Sequence, residues 1–280
     1  MQEELFAYIL VSFLNMCLTH GYIPNVCLIT TVVPISKNKN GNMSDTSNYR
    51  PVAVATVMSK LFEHYILSCI SPFLGTTDNQ FGFKAGHGTD QCTFLLKQTV
   101  SYFVNHGSPV HAVFLDASKA FDRVQHAPLF EKLIRRGVPM CFVRLLKHWY
   151  SDQTMRIKWG SHLSDPFHVS NGVRQGGVLS PCLFAVYLDE LSNELNNVKA
   201  GCYIGDALLN HLMFADDICV FCPSVRGLQE LLNVCQAYAD SHGIIFNCSK
   251  TVCMTFTSKH LKQTLSLTLF WRCEIKIANR

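Results

Sequence analysis

Charge is scarce in this sequence. Only 16% of its residues are charged against 48% hydrophobic, a balance that excludes wholesale disorder and leaves ample apolar surface for a core. The net charge is just +4 with histidines neutral, which admits a nucleic-acid partner without demanding one. No apolar run reaches the ~20 residues of a membrane span. The best candidate, residues 5–18, is interrupted by Asn15 and preceded by Glu3 and Glu4, so no membrane partner is expected. A positively charged leader with a cleavage site is also missing. The thirteen cysteines therefore read as reduced thiols of an intracellular protein, cytoplasmic or nuclear and not secreted. There is no internal repeat, low-complexity tract or flexible linker. Cys219 and Cys222 have zinc-like spacing, but on a strand residues three apart point to opposite faces and do not share a metal.

What is present is a succession of apolar patterns. Residues 5–18 read as a core-facing helix, ended by His20-Gly21 with Pro24 beyond. Residues 26–35 read as extended, and 36–48 as an exposed loop rich in Lys, Asn, Gly and Ser. Within 51–70 the second half is helical, with Leu61, Phe62, Tyr65, Ile66 and Cys69 on one face, and 90–103 repeats the pattern. A strand is expected at 110–115, helices from 118 and over 128–136 and 140–150, then strands at 155–159 and 167–170. A Gly-rich loop at 171–177 leads into a helix over 179–195, opened by Ser180-Pro181. A hairpin around Asp216 follows, then an amphipathic helix through Leu228, Leu231, Leu232, Cys235 and Tyr238, closed by Gly243. Residues 244–246, 252–256, 267–269 and 274–277 read as strands. Helices first, then strands mixed with helices, is an α+β order. A change of lobe is expected near residue 108.

Two segments deliver acids to the ends of apolar runs. His111-Ala112-Val113-Phe114-Leu115 leads to Asp116, and His211-Leu212-Met213-Phe214-Ala215 leads to Asp216-Asp217. Carboxylates beside a buried sheet are costly unless a cation pairs with them. Three of them at neighbouring strand ends would suit hard divalent metals, and two such metals clamp the attacking and leaving oxygens of phosphoryl transfer. The third element is the stretch 171–181. Its glycines allow close backbone approach to a ligand, Gln175 offers amide donors and acceptors, and Ser180-Pro181 opens a helix whose N-terminus favours anions. Singly, each signal has a plainer reading. Asp116 serves as a helix cap, Asp216-Asp217 as solvated turn residues, the glycines as a surface turn, and Phe121 as a core aromatic at helical spacing with Val124. Their order, flanks and separation carry the functional reading.

Together these elements resemble a reverse transcriptase, and more narrowly the polymerase domain of non-LTR retrotransposons. Leu115-Asp116-Ala117-Ser118-Lys119-Ala120-Phe121-Asp122 is similar to that family's first catalytic motif. Gly172-Val173-Arg174-Gln175-Gly176 through Ser180-Pro181 is similar to its nucleotide-pocket motif, and Phe214-Ala215-Asp216-Asp217 to its second catalytic motif. Asn48-Tyr49-Arg50-Pro51-Val52, Gln80-Phe81-Gly82-Phe83, and Asn247 with Lys250-Thr251 match further motifs in the family order. The resemblance implies a right-hand polymerase fold. Residues 1–108 would form a fingers-like helical region and 109–280 a palm, an antiparallel sheet flanked by helices, with the thumb absent from these residues. It implies RNA-templated extension of a DNA primer with deoxynucleoside triphosphates. Asp116, Asp216, Asp217 and the carbonyl of Ala117 would bind two Mg²⁺ ions, or Mn²⁺. Phe121 would be the steric gate against a ribose 2′-hydroxyl. Gln175 and Gly176 would line the nucleotide pocket, and Arg50 and Lys60 would meet the triphosphate. Lys250 would protonate or approach the pyrophosphate. Two rivals remain. One is an inactive or domesticated remnant that only binds nucleic acid. The other is a two-metal nuclease, which has no need of the pocket at 175–181.

Overall fold

The computed structural model describes residues 2–257, 268–269, 273–274 and 276–278. The fold is mixed α+β. Its chain divides into two compact units, Met1–Gly75 with Val124–Leu183, and Thr76–Arg123 with Phe184–Arg280. Each unit is assembled from two separate segments of the chain, and strands from distant segments pair within it.

In the first unit the strand Ile29–Ser36 is rich in β-branched residues, which suit a pleated, half-buried surface. It pairs antiparallel with Tyr49–Val54, from Thr31↔Val54 to Ser36↔Tyr49. On its other edge it pairs parallel with Thr154–Trp159, from Ile29↔Thr154 to Val32↔Ile157. That parallel pair ties residues 124–183 to the first segment. His162–Leu163 and Phe167–His168 extend the sheet from Thr154–Trp159. The extended run starts later than residue 26 because a helical turn, Asn25–Leu28, follows Pro24. The helix Val57–Ile70 is capped by Thr56, whose hydroxyl accepts from Ser59 N–H. It buries Phe62, Ile66 and Ile70 at helical spacing, whereas Leu61 stays exposed. The first helix, Gln2–His20, ends at Gly21 with φ 62°. It is core-facing along one stripe only: Leu14 and Cys17 are buried, while Leu5, Phe6, Tyr8, Ile9, Val11 and Met16 are exposed. His126–Arg135 and Met140–Asp152 supply much of the unit's core through Leu129, Leu133, Leu145, Leu146 and Trp149.

The second unit holds a five-stranded sheet in the order Lys276–Ala278, Val252–Phe256, Val110–Leu115, Asp217–Cys222, His211–Phe214. All pairs are antiparallel except Lys276–Ala278 with Val252–Phe256. The central strand, Val110–Leu115, is buried at every position but Phe114. One core cluster collects Val110, Ala112, Leu212, Cys219 and Phe221, packed by Leu95, Leu96, Val100 and Phe103 of the helix Thr89–Asn105. The helix Val225–His242 begins at Ser224, which accepts from Gly227 N–H, and ends at Gly243 with φ 66°. Residues 244–246 form no strand and contribute an isolated bridge, Ala117↔Phe246. Near the C-terminus Thr268–Leu269 and Cys273–Glu274 pair antiparallel. Residues 267 and 275 of the expected strands lie outside the described residues.

Candidate active site

The acids meet at one end of the second unit's sheet. The pairing of Val110–Leu115 with Asp217–Cys222 runs to Leu115↔Ile218. Carried one residue further, this register sets Asp116 opposite Asp217, a position where Cβ atoms are typically ~4.5–5.5 Å apart and like charges repel. Asp216 sits in the tight connection between His211–Phe214 and Asp217–Cys222, which closes on Phe214↔Asp217. Ala215 takes φ 58° there, the left-handed backbone that short hairpin turns require. Burial raises the Asp216 carboxyl above the usual range, and the charges of Asp217 and Asp116 add to the rise. Asp217 is raised by burial and then by Asp116. Lys250 opposes both shifts, and its Nζ lies 3.4 Å from Asp116 Oδ2.

The backbone places that lysine. Asn247 N–H donates to the Asp116 carbonyl at 2.7 Å, and Ser118 N–H to the Ile245 carbonyl at 2.8 Å. These bonds flank Ala117, so its own carbonyl takes no part in them. Asn247 Oδ1 accepts from Ser249 N–H, and the Asn247 carbonyl accepts from Lys250 N–H at 3.1 Å. This local turn presents Lys250 beside Asp116.

Among the described residues no group of three or more His, Cys, Asp or Glu is arranged to hold a metal ion. The donors nevertheless fit a hard cation. Mg²⁺ is commonly held by one or two carboxylates, with water and substrate phosphates completing its shell, so a closed protein cage is not needed. Burial raises Asp216 and Asp217 most, and the mutual repulsion that adds to it is what a cation relieves.

Phe121 lies in the short helix Ala120–Arg123 and is half-buried. Its ring stacks on Phe184 at 4.4 Å between centroids and meets Phe83 edge-on at 6.2 Å.

Arg50, Lys60, Gln175 and Gly176 belong to the other unit. Arg50 and Lys60 are exposed. The Gln175 carbonyl accepts from Ala53 N–H at 2.7 Å. Gly176 takes φ 103°, and a Cβ there would lie 2.9 Å from the Ala53 carbonyl oxygen, so glycine is required twice over. The loop rests on two residues to which the sequence reading gave no role, Glu63 and Arg174, 1% and 4% exposed. They form a buried ion pair. Glu63 also accepts from Val178 N–H and, at 3.0 Å, from Leu179 N–H. Arg174 donates to Thr30 Oγ1 at 3.3 Å and lies 4.7 Å over the Trp149 ring. A signal was available: Glu63 falls between Ser59 and Ile66 on the face that the helix buries.

Residues 35–271 match the family model described as reverse transcriptase (RNA-dependent DNA polymerase). The chain belongs to the reverse transcriptase family. Members of this family work with divalent metal ions. The chain is 29% identical over 257 residues to a probable RNA-directed DNA polymerase from transposon BS of Drosophila melanogaster, covering 88% of this chain and 28% of the relative. It is 30% identical over 225 residues to that of the X-element of the same species, covering 77% and 24%. It is 28% identical over 259 residues to the RNA-directed DNA polymerase from mobile element jockey of Drosophila funebris, covering 89% and 28%. These relatives place it with the non-LTR retrotransposon branch. The chain thus spans about a quarter of the length of these relatives. Among solved structures, apo telomerase of Candida tropicalis truncated from its C-terminal domain superposes with a TM-score of 0.61 at 12% identity, over 88% of this chain and 53% of that one. That likeness establishes a shared polymerase fold.

Proposed function

We propose that the chain extends a DNA primer on an RNA template with deoxynucleoside triphosphates. The observation that carries this reading is the convergence of Asp116, Asp216, Asp217 and Lys250 at one sheet end. In it, Asp116, Asp216, Asp217 and the Ala117 carbonyl hold two Mg²⁺ ions, with Mn²⁺ able to replace them. When bound, these ions supply Lewis acidity at the primer hydroxyl and at the departing pyrophosphate. Lys250, charged and largely exposed, carries a proton to the leaving group or neutralises it. Arg50 and Lys60 meet the triphosphate, Gln175 and Gly176 line the nucleotide pocket, and Phe121 excludes a 2′-hydroxyl. In hand terms, residues 1–108 act as fingers and 109–280 as palm. Free thiols such as those of Cys219, Cys222 and Cys253 suit work inside the cell.

A second reading is a binding module without turnover. Primer extension on an RNA template with Mg²⁺ separates the two. Asp216→Asn should cut extension at least roughly 1,000-fold, as losing one member of a catalytic unit does, with circular dichroism unchanged. Template–primer binding with no extension by the wild-type chain would replace the polymerase reading with the binding one.

A further inference from the structure

Gln80 is a fully buried amide, 0% exposed, and it is not one of the groups given a chemical role above. Its Oε1 accepts from Ala215 N–H at 3.0 Å and from Gly82 N–H at 2.9 Å, and its Nε2 donates to the Ala215 carbonyl at 3.4 Å. One side chain therefore engages both peptide groups of the residue that turns the chain into Asp216 and Asp217.

We propose that Gln80, Gly82 and Phe83 form a positioning device that sets the aspartate turn and the Phe121 ring from a single segment. The inference rests on the polymerase reading for the meaning of those two features. The segment is itself well anchored. Met213 N–H donates to the Asn79 carbonyl and Phe81 N–H to the Met213 carbonyl, both at 2.8 Å, so residues 79–81 run beside His211–Phe214 like an added strand. Asn79 Nδ2 donates to the His211 carbonyl at 3.0 Å. Ala215 with φ 58° is an uncommon backbone for a residue carrying a Cβ, and such conformations persist where their surroundings over-determine them. Gln80 supplies that determination. Gly82 lets it happen, because a Cβ at this position would lie 2.9 Å from the Ala215 Cα. The next residue, Phe83, is again left-handed at φ 62°, and its ring is 45% exposed. Core packing does not account for a large exposed ring on a costly backbone. Its edge-on contact with Phe121 does, since it fixes the tilt of the ring read as the sugar gate. Gln80 and Phe83 are thus positioning residues acting through Ala215 and Phe121.

The test uses the full chain and three variants. Gln80→Met keeps the shape and removes the hydrogen bonds. Gln80→Glu, neutral when buried, keeps an acceptor and a donor. Phe83→Ala removes the ring contact. Hydrogen–deuterium exchange at the Ala215 amide should speed up about tenfold in Gln80→Met, the scale of one lost hydrogen bond, and return toward wild type in Gln80→Glu. Mn²⁺ affinity, read by electron paramagnetic resonance, should fall in Gln80→Met. Its kcat should drop on the order of 100-fold with KM for the deoxynucleotide little changed, as misplacement of reacting groups produces. Phe83→Ala should leave the Ala215 amide protected and raise ribonucleotide incorporation. Unchanged Ala215 exchange in Gln80→Met overturns the clamp. So does a lower melting temperature with wild-type Mn²⁺ affinity, which marks ordinary packing. A wild-type chain that neither binds Mn²⁺ nor extends a primer sinks the polymerase reading instead, and the exchange result still decides for or against the Gln80 clamp.

Discussion

Asp217 occupies a position that opposes folding. It faces Asp116 by register, and burial and that neighbour hold its carboxyl above the ordinary 3.8. A folded pKa above the unfolded one means that the folded state binds the proton more readily. The charged form therefore weakens the fold at pH values above both pKa values. The penalty fades as pH falls through the folded value and is gone below 3.8. Asp217→Asn should accordingly raise the melting temperature of the metal-free chain at pH 7 by roughly 2 °C, and the gain should vanish in acid. Calorimetry at the two pH values checks this, and an equal gain at both would refute the electrostatic origin. At this scale the sequence was legible for groups that sit in ordered motifs: Asp116, Asp216, Asp217 and Lys250 are brought into one electrostatic neighbourhood. It was not legible for Gln80. An amide in a loop carries no periodicity, and its value comes from a backbone more than a hundred residues away in the chain.

Among elements, the strands that lead into and out of the acids were read well because each buries a compact apolar run. Val110–Leu115 falls at the expected bounds. The elements read less well are those whose form depends on neighbours. Residues 244–246 have strand composition, yet they form a single isolated bridge, Ala117↔Phe246, and no ladder. The loop at 171–177 looked like a glycine turn, but it is held by the buried pair Glu63–Arg174. Removing one partner of such a pair strands a buried charge, at a cost of about 3–5 kcal/mol. Glu63→Ala should lose that much in urea unfolding, and the Glu63→Met/Arg174→Met double variant should recover part of it. A loss below about 1 kcal/mol, the range of exposed pairs, would show that the pair contributes no more than a surface bridge.

Across the whole chain, the two units are interleaved in sequence, and the ten candidate site residues are shared between them. Asp116, Ala117, Phe121, Asp216, Asp217 and Lys250 belong to one, Arg50, Lys60, Gln175 and Gly176 to the other. On the proposed reading, the modest +4 charge leaves template binding to local contacts with backbone phosphates. Such binding is salt-dependent. With about six phosphate contacts, affinity for an RNA–DNA template–primer should fall roughly 1,000-fold between 50 and 200 mM salt. Fluorescence anisotropy measures the slope, and salt-independent binding would exclude a phosphate-tracking groove.

Apolar runs were enough for the α+β class and for acids delivered to strand ends, and the resemblance of motifs in their order pointed to the family, because these are properties of local pattern and motif succession. Pairing across long separations lay beyond that reach. The parallel join of Ile29–Ser36 to Thr154–Trp159, the Glu63–Arg174 strut and the Gln80 clamp on Ala215 exist only once distant backbone groups must find hydrogen-bond partners away from water.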